Sequence, residues 1–282
     1  MSDFKTLKKF TDNIPNEDSC HVQDDMIAIS DGAGGCGVFA SDWSKYLVEQ
    51  ISLRSNENPI VNFEEFDDWV DEIWESFYNE HEEKAKEYDG IFQTKFYQEG
   101  SYATLAVAWR TGADVCHYVR YGDSVIFHYS KSACKFEHSF TKLADFAKAP
   151  YLISCKDPLL PEGFKADDFS LSDDSVVLAA SDALSHYILM MYYVTHQEEF
   201  KDEIEEILNG HTSDSQMLSI ALRDMANGHL TFDMLMEQLQ DASHDQDIFD
   251  HFVKELHSRG VLDIDDYTLA ILKYSNIPCS TL

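Results

Sequence analysis

The chain has 282 residues, 44% of them hydrophobic and 26% charged, enough for a packed core in one large domain or two ordinary ones. Its 12 Gly and 6 Pro exclude collagen-like and Pro/Gly-rich low-complexity architectures. A formal net charge of −31 opposes the phosphates of nucleic acid and anionic lipid, so neither nucleic acid nor membrane is expected as a partner.

No apolar run approaches the ~20 residues needed to cross a bilayer. The start, Met1-Ser2-Asp3-Phe4-Lys5, lacks the apolar stretch of a signal peptide, and a cytoplasmic location is expected. The six cysteines (Cys20, Cys36, Cys116, Cys134, Cys155 and Cys279) form no C-x-x-C pair and no His/Cys cluster at zinc spacing. Most of them read as small buried side chains in a reducing compartment, and a Cys-based zinc site is not expected.

Met26 to Ser30 is a short apolar run that stops at Asp31-Gly32-Ala33-Gly34-Gly35, the pattern of a buried strand ended by a turn. A helix is expected to follow through Phe39, Trp43, Tyr46, Leu47 and Gln50. Phe66, Trp69, Val70, Ile73, Trp74, Phe77 and Tyr78 form an aromatic stripe on one face of a second helix, read as a core face. From Tyr102 the period changes. Tyr102–Trp109, Val115–Arg120, Val125–Tyr129 and Lys135–Phe140 predict an antiparallel meander, with Thr111–Asp114 and Gly122–Ser124 as turns.

Ala149 to Asp174 holds three prolines and little periodicity, and reads as a long functional connection. Ser175 to Ala180 predicts a buried strand ending at Ser181-Asp182. Helical patterns run from Ala183 to His257, and Tyr267 to Leu272 predicts a final strand after Asp263-Ile264-Asp265-Asp266. Strands and helices interleave without strict βαβ alternation, which predicts a layered α+β class. Acidic runs such as Glu198-Glu199 and Asp202-Glu203 read as a solvated helix face.

Apolar strands repeatedly run into aspartate at a turn: Asp31, Asp182, the Asp265-Asp266 pair before the last strand, and Asp123 between two others. Strand ends are rigid, and carboxylates on them can converge on a hard cation such as Mg²⁺ or Mn²⁺. Aspartate also favours turns and caps for local reasons.

These residues carry a resemblance. Asn16-Glu17-Asp18, Asp31-Gly32-Ala33-Gly34-Gly35, Gly100 through Leu105, Gly122-Asp123-Ser124, Leu178-Ala179-Ala180-Ser181-Asp182-Ala183-Leu184 and Asp265-Asp266-Tyr267-Thr268-Leu269 are six segments in order. They resemble the N-E-D, D-G-x-G-G, central Thr, G-D-S-R, L-x-S-D-G-L and D-[ND]-x-[ST] motifs of the metal-dependent Ser/Thr protein phosphatases of type 2C, with this chain as a divergent, bacterial-like member. The resemblance spans nearly the whole chain and implies an α-β-β-α sandwich of two antiparallel sheets. It implies one phosphatase-like domain over residues 1–282, with a helical elaboration at about 192–258.

It also implies two divalent cations, Mn²⁺ or Mg²⁺, with a weaker third, and a phosphoprotein substrate. By motif, Asp31 bridges both metals and the Gly32 carbonyl binds the second. Asp182 and Asp265 hold the first. Glu17 and Asp18 serve the second through its waters or support its surroundings, and Asp123 with Asp182 belongs to the third. The implied reaction is hydrolysis of phosphoserine and phosphothreonine by a metal-activated water.

Several family features are absent. Asn13 stands where an Arg normally binds substrate phosphate, with Lys8 and Lys9 nearby. The glycine loop carries Ala33 and Cys36, and no His falls between His21 and His81. Val125 replaces the Arg of G-D-S-R, and Ala183 the Gly of S-D-G-L. Cys36 reads as a bystander to the chemistry. The alternative is a pseudophosphatase-like binding or signalling protein with little turnover. A calcium module is disfavoured because the Asp263 segment lacks the EF-hand Gly and Glu, and a P-loop because Gly32 to Gly37 lacks the Lys-Ser/Thr ending.

Overall fold

The computed structural model describes residues 2–10, 14–228 and 231–273. The strands are β1 (Asp3–Leu7), β2 (Ser19–Val22), β3 (Met26–Ser30), β4 (Tyr102–Ala103), β5 (Leu105–Arg110) and β6 (Val115–Tyr121), then β7 (Val125–Ser130), β8 (Lys135–His138), β9 (Ile153–Ser154), β10 (Phe164–Ser170), β11 (Val176–Ala180) and β12 (Tyr267–Lys273). Helices α1 (Ala40–Ile51), α2 (Phe63–Ala85) and α3 (Gly90–Glu99) precede β4. Helices α4 (Asp182–Thr195), α5 (Lys201–Asn209), α6 (Ser213–Ala226), α7 (Phe232–Ala242) and α8 (Gln246–Arg259) lie between β11 and β12.

Two five-stranded sheets form, ordered β1-β12-β11-β7-β8 and β10-β6-β5-β3-β2, with β4 and β9 as a short separate pair. Neighbouring strands are antiparallel throughout. Alternation along the strands sorts the core into layers. Ile27, Ile29, Ala106, Ala108, Val177, Ala179, Ala270 and Leu272 pack between the sheets. Met26, Ala28, Leu105, Val107 and Trp109 face Trp43, Leu47, Phe66 and Phe77 of α1 and α2. Leu178, Ala180, Leu269 and Ile271 face Leu184, Ile188 and the later helices. The result is the expected four-layer α-β-β-α sandwich. Central strands covered on both faces read as unbroken apolar runs, which is why β3 and β11 stand out in the sequence.

The aromatic stripe is a core face, as expected: Phe66, Trp69, Ile73 and Phe77 of α2 are buried. Asn62 starts this helix by accepting from the Glu65 N–H, while Glu65 accepts from the Val61 N–H.

Two expectations are corrected. The run from Tyr102 is not one meander, because β6 and β7 belong to different sheets. The chain crosses between them at Gly122, whose φ of 101° suits glycine and whose added Cβ would stand 2.6 Å from Thr104 Cγ2. The stretch from Ala149 to Asp174 is not all connection, since β10 pairs with β6 over seven residues. It is an edge strand carrying Lys165, Asp167 and Asp168, so its apolar signal is thin. The edge strands β1 and β2 likewise lack a clear apolar pattern, and their residues are half-buried or exposed.

Candidate metal centre

The residues singled out in the sequence meet at one end of the sandwich. Glu17, Asp31, Gly32, Asp123, Asp182 and Asp265 all line one cavity of about 200 Å³, with Lys9, Ala33, Gly34, Gly35, Thr104, Pro150 and Leu152. Asp18 does not line it. It lies buried behind, 7% exposed, and neither of its carboxylate oxygens has a hydrogen bond of ordinary geometry. Asn13 lies outside the described residues, as does Cys279.

Backbone and hydroxyl bonds fix the carboxylates. Asp31 leaves β3 and is held by Thr104, which sits in the break between β4 and β5. The Thr104 N–H donates to the Asp31 carbonyl at 2.8 Å, and the Asp31 N–H donates to Thr104 Oγ1 at 3.1 Å. Thr104 Oγ1 also lies 2.7 Å from Ser124 Oγ, beside Asp123. Ser181 joins β11 to β12: its N–H donates to the Thr268 carbonyl at 3.1 Å, and its Oγ accepts from the Thr268 N–H at 3.0 Å. This places Asp182 at the start of α4 next to Asp265.

Asp266, 2% exposed, anchors the N-terminal segment by accepting from the Lys9 and Glu17 N–H groups at 2.7 Å each. Gly32 must be small, because a Cβ there would stand 2.7 Å from the carbonyl oxygens of Ala40 and Glu17. The buried Arg120 supports the Asp123 turn through hydrogen bonds to the carbonyls of Gly122 and Ser139.

The electrostatics are those of an acid cluster only partly compensated by one lysine. Burial, then Asp18, Asp182 and Asp123, pushes Asp31 well above the usual carboxylate range. Burial, then Asp123 and Asp265, does the same to Asp182. Burial raises Asp18 to about 7, with Asp266 adding to the shift, and the nearby Thr268 and Ser181 hydroxyls only partly oppose it. Burial raises Asp123 to about 6 and also lifts Asp265.

Five carboxylates face one ammonium in the cavity lining. Lys9 Nζ is 3.2 Å from Glu17, 3.8 Å from Asp265 and 3.9 Å from Asp266. Burial opposes its charge, but Glu17, Asp266 and Asp265 outweigh that and hold it above the ordinary lysine value.

The donor set fits divalent cations. It is all oxygen, its acids outnumber the single lysine beside them, and Asp18 carries two orphaned buried oxygens. The carboxylates ring the cavity instead of closing into one cage. Among the described residues, the three His/Cys/Asp/Glu ligand atoms that fall within 4.8 Å of one another belong to His186, Asp214 and Asp263.

The sequence offered Lys9, with Lys8, as a substitute for the absent Arg, and showed Thr104 and Asp266 as motif members without revealing them as organisers. The strand-breaking position of Thr104, within an otherwise apolar run, is the signal that could have found it. Cys36 is exposed and lines a neighbouring groove, not the cavity. His81 is tied to Asp42 and the Phe77 carbonyl, and no histidine lines the cavity among the described residues.

Comparison with known proteins agrees on the fold. No protein-family model and no curated protein matches the chain by sequence. Solved structures do. The serine/threonine phosphatase PstP/Ppp of Mycobacterium tuberculosis aligns at a TM-score of 0.55 and 15% identity, over 96% of this chain and 97% of the other. The catalytic domain of PstP in complex with 2 manganese ions aligns at 0.53 and 15%, over 96% of each chain. Stp1 of Staphylococcus aureus aligns at 0.51 and 12%, over 96% and 93%. The chain therefore has the fold of the type 2C Ser/Thr protein phosphatases, as its motifs imply. No helix among the described residues is long and apolar enough to cross a membrane.

Proposed function

We propose that the chain is a Mn²⁺- or Mg²⁺-dependent phosphatase acting on phosphoserine and phosphothreonine in proteins, built as one phosphatase domain with α5–α8 as its elaboration. One observation carries this reading. Six residues from five separate segments converge on a cavity of about 200 Å³ whose five carboxylates are met by one lysine. The shared fold supports it.

In this reading Asp31 would be shared by two cations, Asp182 and Asp265 would hold one, and the Gly32 carbonyl with Glu17 and the supporting Asp18 would hold the other. Asp123 and Asp182 serve a weaker third. Bound there, such ions supply a hydroxide near neutral pH and offset charge on the phosphoryl oxygens. The chain's own bonds hold the ligands in place before substrate arrives, so little reorganisation is needed. Thr104 and Ser181 do this for Asp31 and Asp182. Lys9 is the cation we assign to the substrate phosphate. An entering phosphate competes with Glu17 for its ammonium, a charge-assisted contact given by a point charge and not by a planar fork.

The test is hydrolysis of a phosphothreonine peptide and of p-nitrophenyl phosphate with Mn²⁺, Mg²⁺, Ca²⁺ or chelator, against Asp182→Asn. Manganese-dependent turnover is expected, with a loss of about a thousandfold or more in the variant, on the order of 4 kcal/mol. Lys9→Gln is expected to raise KM about tenfold with a smaller change in kcat.

Among the described residues no histidine lines the cavity, which favours a second reading, a pseudophosphatase-like binding protein. Calorimetric manganese binding, with wild-type turnover no higher than that of Asp182→Asn, selects it.

A further inference from the structure

A second cluster lies outside the carboxylate cavity. His186 projects from α4, Asp214 from the first turn of α6, and Asp263 from the loop before β12. One ligand atom from each lies within 4.8 Å of the others. His186 is 5% exposed, and its one polar partner among the described residues is Asp263, with Nδ1 to Oδ2 at 3.4 Å. The Phe146 ring packs against it at 5.1 Å. A nearly buried imidazole thus points at two acids and bonds to nothing else polar. Neither acid pairs with a Lys or Arg among the described residues, in a chain whose net charge is −31.

We propose that His186, Asp214 and Asp263 bind one transition-metal dication of the zinc type, at a site separate from the proposed catalytic ions. Ligand chemistry sets the class. Mg²⁺ and Ca²⁺ prefer oxygen-only sets, whereas one imidazole with two carboxylates suits Zn²⁺. Zinc bonds of roughly 2.0–2.2 Å place tetrahedral ligand atoms about 3.4 Å apart, the His186–Asp263 separation found here. Three protein ligands leave a fourth position for water. The ion ties α4 and the start of α6 to the loop that delivers Asp265, two residues on from Asp263. It therefore joins the helical layer to the edge of the cavity.

The test needs no hydrolysis readout. Full-length chelator-treated protein carrying Asp31→Asn and Asp182→Asn, which disables the carboxylate cavity, is titrated with Zn²⁺ by calorimetry and with Co²⁺ by visible absorption. One equivalent is expected to bind, with a tetrahedral cobalt spectrum. Adding His186→Gln, Asp214→Asn or Asp263→Asn is expected to weaken binding at least about tenfold. Asp263 is exposed and Asp214 partly so, so these two variants carry the test if His186→Gln fails to fold. Zinc affinity unchanged in Asp214→Asn and Asp263→Asn, or no binding in the parent double variant, overturns the proposal.

Discussion

The groove between α6, α7 and α8 holds about 480 Å³, more than twice the carboxylate cavity at about 200 Å³. Its one arginine nevertheless pairs with two of its carboxylates. Arg259 Nη2 lies 2.6 Å from Asp224, and Nη1 is 3.9 Å from Glu255. In the smaller cavity five carboxylates share one lysine, and burial with neighbouring carboxylates pushes the protonation of Asp31, Asp123, Asp182 and Asp265 upward. Volume alone would not direct attention to the smaller cavity. Chemistry is better located by charge that the fold holds together against its own repulsion, since such strain persists only where the surrounding structure enforces it.

The largest effect that separates the two regions is on turnover. Asp31→Asn is expected to remove manganese-dependent hydrolysis by about a thousandfold or more, while Arg259→Ala leaves it within about twofold. Equal losses in steady-state assays would erase the distinction.

Gly32→Ala should lower stability by about 1–3 kcal/mol in urea unfolding, because the added methyl meets the Ala40 and Glu17 carbonyls at 2.7 Å. It should also weaken Mn²⁺ binding, since the Asp31 loop must shift.

Acidity sharpens the contrast further. In metal-free protein Asp18 titrates near about 7 and Asp123 near about 6, against about 3.9 for an ordinary Asp. Between those values the folded chain holds protons that the unfolded chain has released, so this contribution makes stability fall as pH rises from about 4 through 7. Melting in chelator should be higher at pH 5 than at pH 8, and Asp31→Asn should flatten the difference. Mn²⁺ affinity should rise over the same interval, because its ligands must lose their protons. A melting temperature in chelator equal at both pH values would remove the repulsion from the account.

Asp18→Asn replaces a buried, unbonded carboxylate with a neutral amide, and should stabilise metal-free protein by about 1 kcal/mol at pH 8 while weakening Mn²⁺ binding. Smallest is Arg259→Ala, whose partly exposed ion pairs are worth less than about 1 kcal/mol in thermal unfolding.

What the sequence determined by itself is local. The buried strands β3, β11 and β12 and the aromatic face of α2 follow from runs and periods that no tertiary context needs to supply. The aspartates at strand ends were visible for the same reason, and their order along the chain carried the resemblance. Edge strands β1, β2 and β10 were not legible, because a half-solvated edge takes mixed residues and is identified only by its partner.

The switch of sheets at Gly122 was hidden too, since the same turn could have closed a hairpin. The tertiary structure alone brought Lys9 against Glu17, set Thr104 beneath Asp31, and placed His186 beside Asp214 and Asp263. Apart from the Lys9–Glu17 pair, those contacts join residues far apart in the chain. Their distances depend on how the two sheets and the helical layer pack, and no residue's own chemistry encodes that.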